Sequence, residues 1–243
     1  MDNTEMSVIE HLQELRKRLI ISFASIFIAS VILYQKILLL IEIFMRPVEE
    51  LKFDLVYFSL IEGFMTRFKV SLLAGIILVS PIIFYQIGAF IFPGLTSKEK
   101  KILNYMAFYL SAFFIGGTFI GYFLVLPHVL NFLISYSTSY MNPILSGSMY
   151  LSFIGIFCIV MGIVCTMPLV FLFLAKQQVV SVKTLMKWRK YVVAIAIALE
   201  LCFVPSSDAI TFIAIVFPII ILYELSLWIL YFKEKRRKKR ESV

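Results

Sequence analysis

The sequence predicts an all-α integral membrane protein with six transmembrane helices, both termini cytoplasmic, and spans of unequal length with a short fifth span. Three observations carry this. Apolar residues make up 61% of the 243-residue chain, against roughly half in a soluble domain. No Asp, Glu, Lys or Arg occurs between residues 102 and 175, a run that a pair of membrane spans needs and a soluble fold does not. The apolar segments are long and continuous, which favours helices over the short alternating strands of a barrel.

The elements follow in order within a single polytopic membrane domain, residues 1–243. The first span covers residues 19–35. Before it, residues 7–19 read as an amphipathic helix at the membrane surface, with Ile9, Leu12 and Leu19 on one face and Glu10, Glu14 and Arg18 on another. Acidic residues precede the span and no short apolar core ends in a small-residue cleavage site, so the span is expected to stay as an anchor. The second span covers residues 70–92 with Pro81 inside it. The charge-free run divides at the polar segment 135–148, giving a third span over 102–128 and a fourth over 150–175. The fifth covers 191–204 and the sixth 210–232, followed by a basic tail, 233–243. Fourteen residues rise only about 21 Å, against a hydrocarbon core of about 30 Å. Short and long spans together are expected to thin the bilayer locally.

Charge sets the orientation. Of the 23 Lys and Arg, eighteen fall on the side holding both termini and five on the other. The basic side is the cytoplasmic one. The tail run Lys233–Arg240 sits directly beside a span, so it reads as a topology and anionic-lipid determinant rather than a nucleic-acid arm. The absence of a transit-peptide pattern points to a bacterial or archaeal cell membrane.

Enzyme chemistry finds no support. There is no HExxH, no GxSxG, no intramembrane aspartate pair and no cluster with metal-ligand spacing. Cys158, Cys165 and Cys202 lie in apolar runs without a CxxC pair, as small buried residues do. No cofactor or metal is expected. An ion-coupled carrier would use the ionisable groups placed in spans, Glu200, Glu224 and His128. Three isolated groups and no internal repeat are thin support for one. On the cytoplasmic side Glu14 and Glu99 each sit inside a basic cluster. Paired carboxylates there can take guanidinium groups in a planar fork. Each has a structural alternative: Ser7/Glu10 and Thr96/Glu99 fit capping boxes, and Glu14 can pair with Arg18 one turn on.

Along nearly its whole length the chain resembles the TatC family. HLQELRKRL at residues 11–19 resembles that family's HLxELRxRL signature. Pro47 stands in the first outer loop, and Phe64 and Lys69 match an F-x4-K element. Pro81, Tyr85, Gln86, Phe90 and Pro93 match a P-x3-YQ-x3-F-x2-P element. Glu99 follows between the second and third spans, Tyr191 follows WRK, and Asp208 closes a VPSSD turn.

The resemblance implies a receptor for signal peptides bearing two consecutive arginines, in a translocase that exports folded proteins on the proton-motive force. Glu14 and Glu99 would contact the arginines, with Arg16 shaping the site and Gln86 and Phe90 nearby. Phe64 and the outer loop would meet other copies of the chain or single-span TatA/TatB-type partner subunits. Pro47, Pro81 and Asp208 would be structural. Two departures stand out. Thr166 replaces the acidic or amide residue that many relatives carry before the fourth-span proline, and Ser-Ser replaces Pro-Pro before Asp208. Thr166 lies ten positions before Lys176 and Glu200 ten positions after Lys190. Glu200 is therefore expected at the depth of Thr166, supplying the carboxylate that Thr166 lacks.

Overall fold

The computed structural model describes residues 8–49, 55–91, 97–135, 145–176 and 182–203, with ten further positions between 216 and 232. Nearly all of them are helical. The helices are α1 (Val8–Tyr34), α2 (Ile37–Glu49), α3 (Leu60–Leu78), α4 (Ser80–Ile91), α5 (Ser97–Ile120), α6 (Leu126–Ser135), α7 (Gly147–Lys176) and α8 (Val182–Phe203). Two-residue strands β1 (Leu55–Val56) and β2 (Leu145–Ser146) pair in parallel, Leu55 with Leu145 and Val56 with Ser146. The described positions 216–217, 220–221, 223–224, 227–228 and 231–232 are helical.

Among the described residues three stretches are long and apolar enough to cross a membrane: Ile9–Tyr34, Leu103–Asn131 and Gly147–Phe171. The bent pair α3–α4 makes a fourth if it counts as one span. The fifth expected span is the apolar end of α8, whose first turns carry Lys183, Lys187, Arg189 and Lys190. Most of the sixth, and the end of the fifth at Val204, lie outside the described residues.

Two expectations need correcting. The amphipathic segment before the first span is not a separate surface helix, because α1 runs unbroken from Val8 to Tyr34. The helix leading into the second span starts at Leu60 rather than at residue 70. Ser59 is the N-cap, without a side-chain capping bond of its own, and Glu62 reaches back past it to accept the Phe58 N–H at 2.7 Å. Arg67 and Lys69 therefore sit within the helix.

The second span is broken at Val79, where α3 and α4 meet at 59°. Pro81 supplies the cause. It has no N–H to give the Ile77 carbonyl, and its ring crowds that carbonyl. The Val79 N–H still reaches Gly75 O at 3.0 Å, and the ladder resumes with Ile83 N–H to Val79 O at 3.1 Å. A second proline is handled differently. Ahead of Pro127 the helix widens into a π-turn, Gly121–Val125, and the Leu126 N–H bonds back to Gly121 O. Widening absorbs the proline without a sharp break.

Two compact units emerge. The first holds α1, α3, α4, α5 as far as Ala112 and the opening of α7 as far as Gly155. Lipid is as apolar as leucine, so helices associate here by close packing rather than by escape from water. Gly75 shows it: a Cβ there would come within 2.6 Å of Ser30 Oγ and 3.3 Å of Ile26 O. The Ser30 hydroxyl bonds Ile26 O on its own helix and so leaves no unpaired donor at the crossing. Gly155 meets Leu73, and Gly88 meets Leu103, with equal intimacy.

The second unit includes the rest of α5, the π-turn, α6, the remainder of α7 and α8. Gly117 and Gly121, one turn apart on a GxxxG face, press on Cys165 and Met161 of α7. Gly162 returns the contact to Phe114, and Thr118 Oγ1 donates to Phe114 O at 2.9 Å and Cys158 O at 3.3 Å. Cys158 and Cys165 are buried free thiols in this seam. At the α8 end, Leu185, Tyr223 and Leu227 form a small core with Phe171 and Val192 packed on it.

Gly75→Ala is expected to lower the melting temperature in detergent, at a cost of about 1–3 kcal/mol, since the Ser30 hydroxyl at 2.6 Å is held by its bond to Ile26 O and the Ser30 backbone N stands behind it at 3.2 Å. Gly116→Ala, with nothing within 4 Å of the added carbon, should not lower it. Equal melting shifts for the two variants would remove the close-crossing account.

Candidate functional site

At the N-terminal end of α1, His11, Glu14 and Arg18 recur at spacings of three and four and so share one face. On α4, Gln86 and Phe90 do the same. The two faces meet within the first unit. The His11 ring stacks on Phe90 with centroids 4.5 Å apart and planes at 15°. A little further along α1, the Arg18 Nη1 donates to Gln86 Oε1 at 3.1 Å. Advancing along α1 corresponds to retreating along α4, so the helices run antiparallel here.

Arg18 is the hub. Its Nε donates to Glu14 Oε1 at 3.0 Å, and Nη2 donates to the same oxygen. With Nη1 on Gln86, one planar guanidinium spans both acceptor side chains. Arg18 is 24% exposed and Glu14 19%, so the ion pair is largely withdrawn from solvent. The other carboxylate oxygen, Glu14 Oε2, is buried and has no hydrogen-bond partner among the described residues, and the same holds for His11 Nδ1. A buried acceptor left unpaired costs about 1–3 kcal/mol. The patch therefore favours a donor, and a cationic donor most.

The other expected residues are placed variously. Arg16 is exposed and, two positions from Glu14, lies on the opposite side of α1. Glu99 is in the first turn of α5, and Glu200 near the end of α8; the side chains of both lie outside what is described. Ser7, Thr96 and Asp208 lie outside the described residues altogether. Pro47 is inside α2, where Ile37 and Phe44 make the buried stripe, and Pro81 sits at the α3–α4 bend. Phe64 is 58% exposed on α3.

Thr166, expected from the resemblance to offer a partner subunit a hydroxyl in place of a charge, is 3% exposed, and that hydroxyl donates to Gly162 O and Ile163 O of its own helix. Glu224 is not a lone intramembrane carboxylate, because Arg189 Nη2 donates to its Oε2 at 2.7 Å. Beside it the Tyr223 hydroxyl donates to Leu185 O at 2.6 Å. His128 is exposed, and its Nδ1–H donates to Leu124 O at 2.8 Å. Among the described residues no group of three or more His, Cys, Asp or Glu could hold a metal.

Sequence spacing anticipates the Glu14–Arg18 pair. It does not show that Arg18 also reaches Gln86, or that His11 lies on Phe90. Both follow only from the α1–α4 crossing. The available sign is the register His11–Glu14–Arg18 itself, which puts an aromatic, an anion and a cation on one stripe.

Apolar helices closed by small-residue crossings, with a polar patch at their ends, define a multi-pass helical membrane protein. The family model for the Sec-independent protein translocase protein TatC matches residues 10–218. The TatC protein of Carboxydothermus hydrogenoformans is 36% identical over 232 residues, covering 96% of each chain. That of Aquifex aeolicus is 34% identical, covering 97% of this chain and 98% of its own. A crystal structure of the twin-arginine translocase receptor TatC in DDM superposes with a TM-score of 0.78 at 33% identity, covering 90% of this chain and 99% of that one. The chain belongs to the TatC family. It is a component of a protein translocase and not an enzyme, and this replaces the carrier reading built on Glu200, Glu224 and His128.

The stacked pair gives a test of the crossing. A double-mutant cycle of His11→Ala and Phe90→Ala should return a coupling of about 0.5–1.5 kcal/mol in detergent unfolding. Additive single effects would mean that the rings do not hold α1 and α4 together.

Proposed function

We infer that this chain is the receptor for twin-arginine signal peptides, in a translocase that moves folded proteins across the cell membrane on the proton-motive force. One observation carries the reading. Glu14 and Gln86 present acceptors spaced for a planar guanidinium, and Glu14 Oε2 is buried without a partner among the described residues. The crystallised relative described as a twin-arginine translocase receptor supports it.

Glu99 adds a second carboxylate in this proposal. Leu103, one turn further along α5, packs on Gly88 of α4, between Gln86 and Phe90. Two carboxylates at a helix-end patch separate a fixed arginine pair from diffuse positive charge. Lysine lacks the planar fork and is discriminated against. Arg16 lies outside the acceptor patch and contributes a positive rim.

The orientation is both termini cytoplasmic with six spans, supported by the eighteen-to-five division of basic residues. Partners are single-span TatA/TatB-type subunits, further copies of this chain and anionic lipid. Phe64, exposed near the start of α3, supports a partner contact there. Glu200 is proposed as the carboxylate facing a partner span. Glu200→Ala should weaken co-purification of the single-span subunit and reduce export, and normal assembly and export would remove that role.

The primary test is binding of a labelled signal peptide to the chain in nanodiscs. An Arg-Arg peptide should bind tightly, a Lys-Lys peptide at least tenfold more weakly (about 1.4 kcal/mol), and Glu14→Ala with Glu99→Ala should abolish the preference. Equal weak binding of both peptides, unaffected by the substitutions, would leave the glutamates as helix-capping residues.

A further inference from the structure

The acceptors assigned to the signal's arginine are already in use. Arg18 places Nε and Nη2 on Glu14 Oε1 and Nη1 on Gln86 Oε1. We propose that Arg18 is a resident guanidinium that the incoming signal must displace, an internal competitor that holds the acceptors closed when no signal is bound. The proposal rests on the receptor reading and concerns its regulation.

The exchange has a physical route. Glu14 Oε2 is buried and, among the described residues, unpartnered, so an incoming donor can bind it while Arg18 still holds Oε1. Once there, a second guanidinium reproduces each bond that Arg18 gives up: two donors to the carboxylate and one to the amide. Arg18 has a long flexible stem and can then turn its charged head to solvent. For arginine the swap is close to even. A lysine ammonium is a compact point charge that cannot span Glu14 and Gln86 in one plane, so it would break more than it makes. The cost of turning Arg18 out is common to both ligands, so it lowers both affinities, and the preference between them stays with the fork geometry of Glu14 and Gln86. Occupation by Arg18 also lowers apparent affinity for every ligand by the fraction of time the site is free.

The test compares wild type with Arg18→Gln and Arg18→Lys in nanodiscs, titrated with Arg-Arg and Lys-Lys signal peptides. Arg18→Gln should tighten both peptides several-fold by the same factor, leaving the ratio of the two affinities unchanged. Arg18→Lys keeps the charge but loses the planar fork onto Glu14 and Gln86, and it should also tighten both peptides, by a smaller factor. If Arg18→Gln tightens both peptides and Arg18→Lys changes nothing, Arg18 acts only through its charge and the proposal falls. Weaker binding of both peptides in both variants would make Arg18 a brace for the site, which also overturns it. Unchanged affinities in both variants, with Glu14-dependent Arg-Arg binding intact, would sink this proposal and leave the receptor reading standing. Wild type without any Glu14-dependent preference would sink the receptor reading itself, and this proposal with it.

Discussion

Close approach of backbones is the constraint on which everything else rests. In a chain this apolar, burial from water cannot decide which helix lies against which, because lipid satisfies leucine as well as a protein core does. Small residues decide instead. Gly75 on Ser30, Gly155 on Leu73 and Gly88 on Leu103 close the first unit, and Gly117 and Gly121 on α7 close the second. At two of these crossings a nearby hydroxyl bonds to its own helix, Ser30 to Ile26 and Thr166 to Gly162, and Thr118 shares its bond between its own helix and Cys158 O of α7.

The polar patch inherits its geometry from those crossings. Gly75 fixes α3 against α1, Pro81 then turns the chain through 59°, and α4 is brought back along the start of α1. Without the turn, Gln86 and Phe90 would continue away along the α3 axis, and His11 and Arg18 would have nothing to meet. A break in a membrane span is therefore what assembles a recognition surface at its end. Gly88 completes the arrangement by letting α5 settle against the far side of α4.

The spans were legible where charge is absent. The run from 102 to 175 and the helix through residues 19–34 announce themselves by composition, because a charge within a span is costly and its absence is visible. The start of α3 was not, because charged Arg67 and Lys69 stand before the apolar run, and the bond from the Phe58 N–H to Glu62 shows only in the structure. Pro81 marked a bend but not its size, and Pro127 gave no hint that the helix would widen and not break. Glu14, Gln86 and Phe90 were singled out by motif, yet their meeting with Arg18 and His11 depends on a crossing between segments nearly 70 residues apart in the chain. For Thr166 the sequence shows the loss of a charge but not the direction of the side chain, which the helix turns inward.

The two-residue pairing of Leu55–Val56 with Leu145–Ser146 sets a schedule. Roughly 90 residues separate the partners, so at about 5–20 residues per second the first strand waits some 5–20 s on the ribosome's timetable for the second to be made. The opening turns of α7, which pack Gly155 on Leu73, arrive just behind it. The first unit is thus finished by a segment synthesised after residues 113–146 of the second. Insertion into the membrane has to leave the Leu73 face of α3 open through that interval, with its closure falling to the nascent chain's later part.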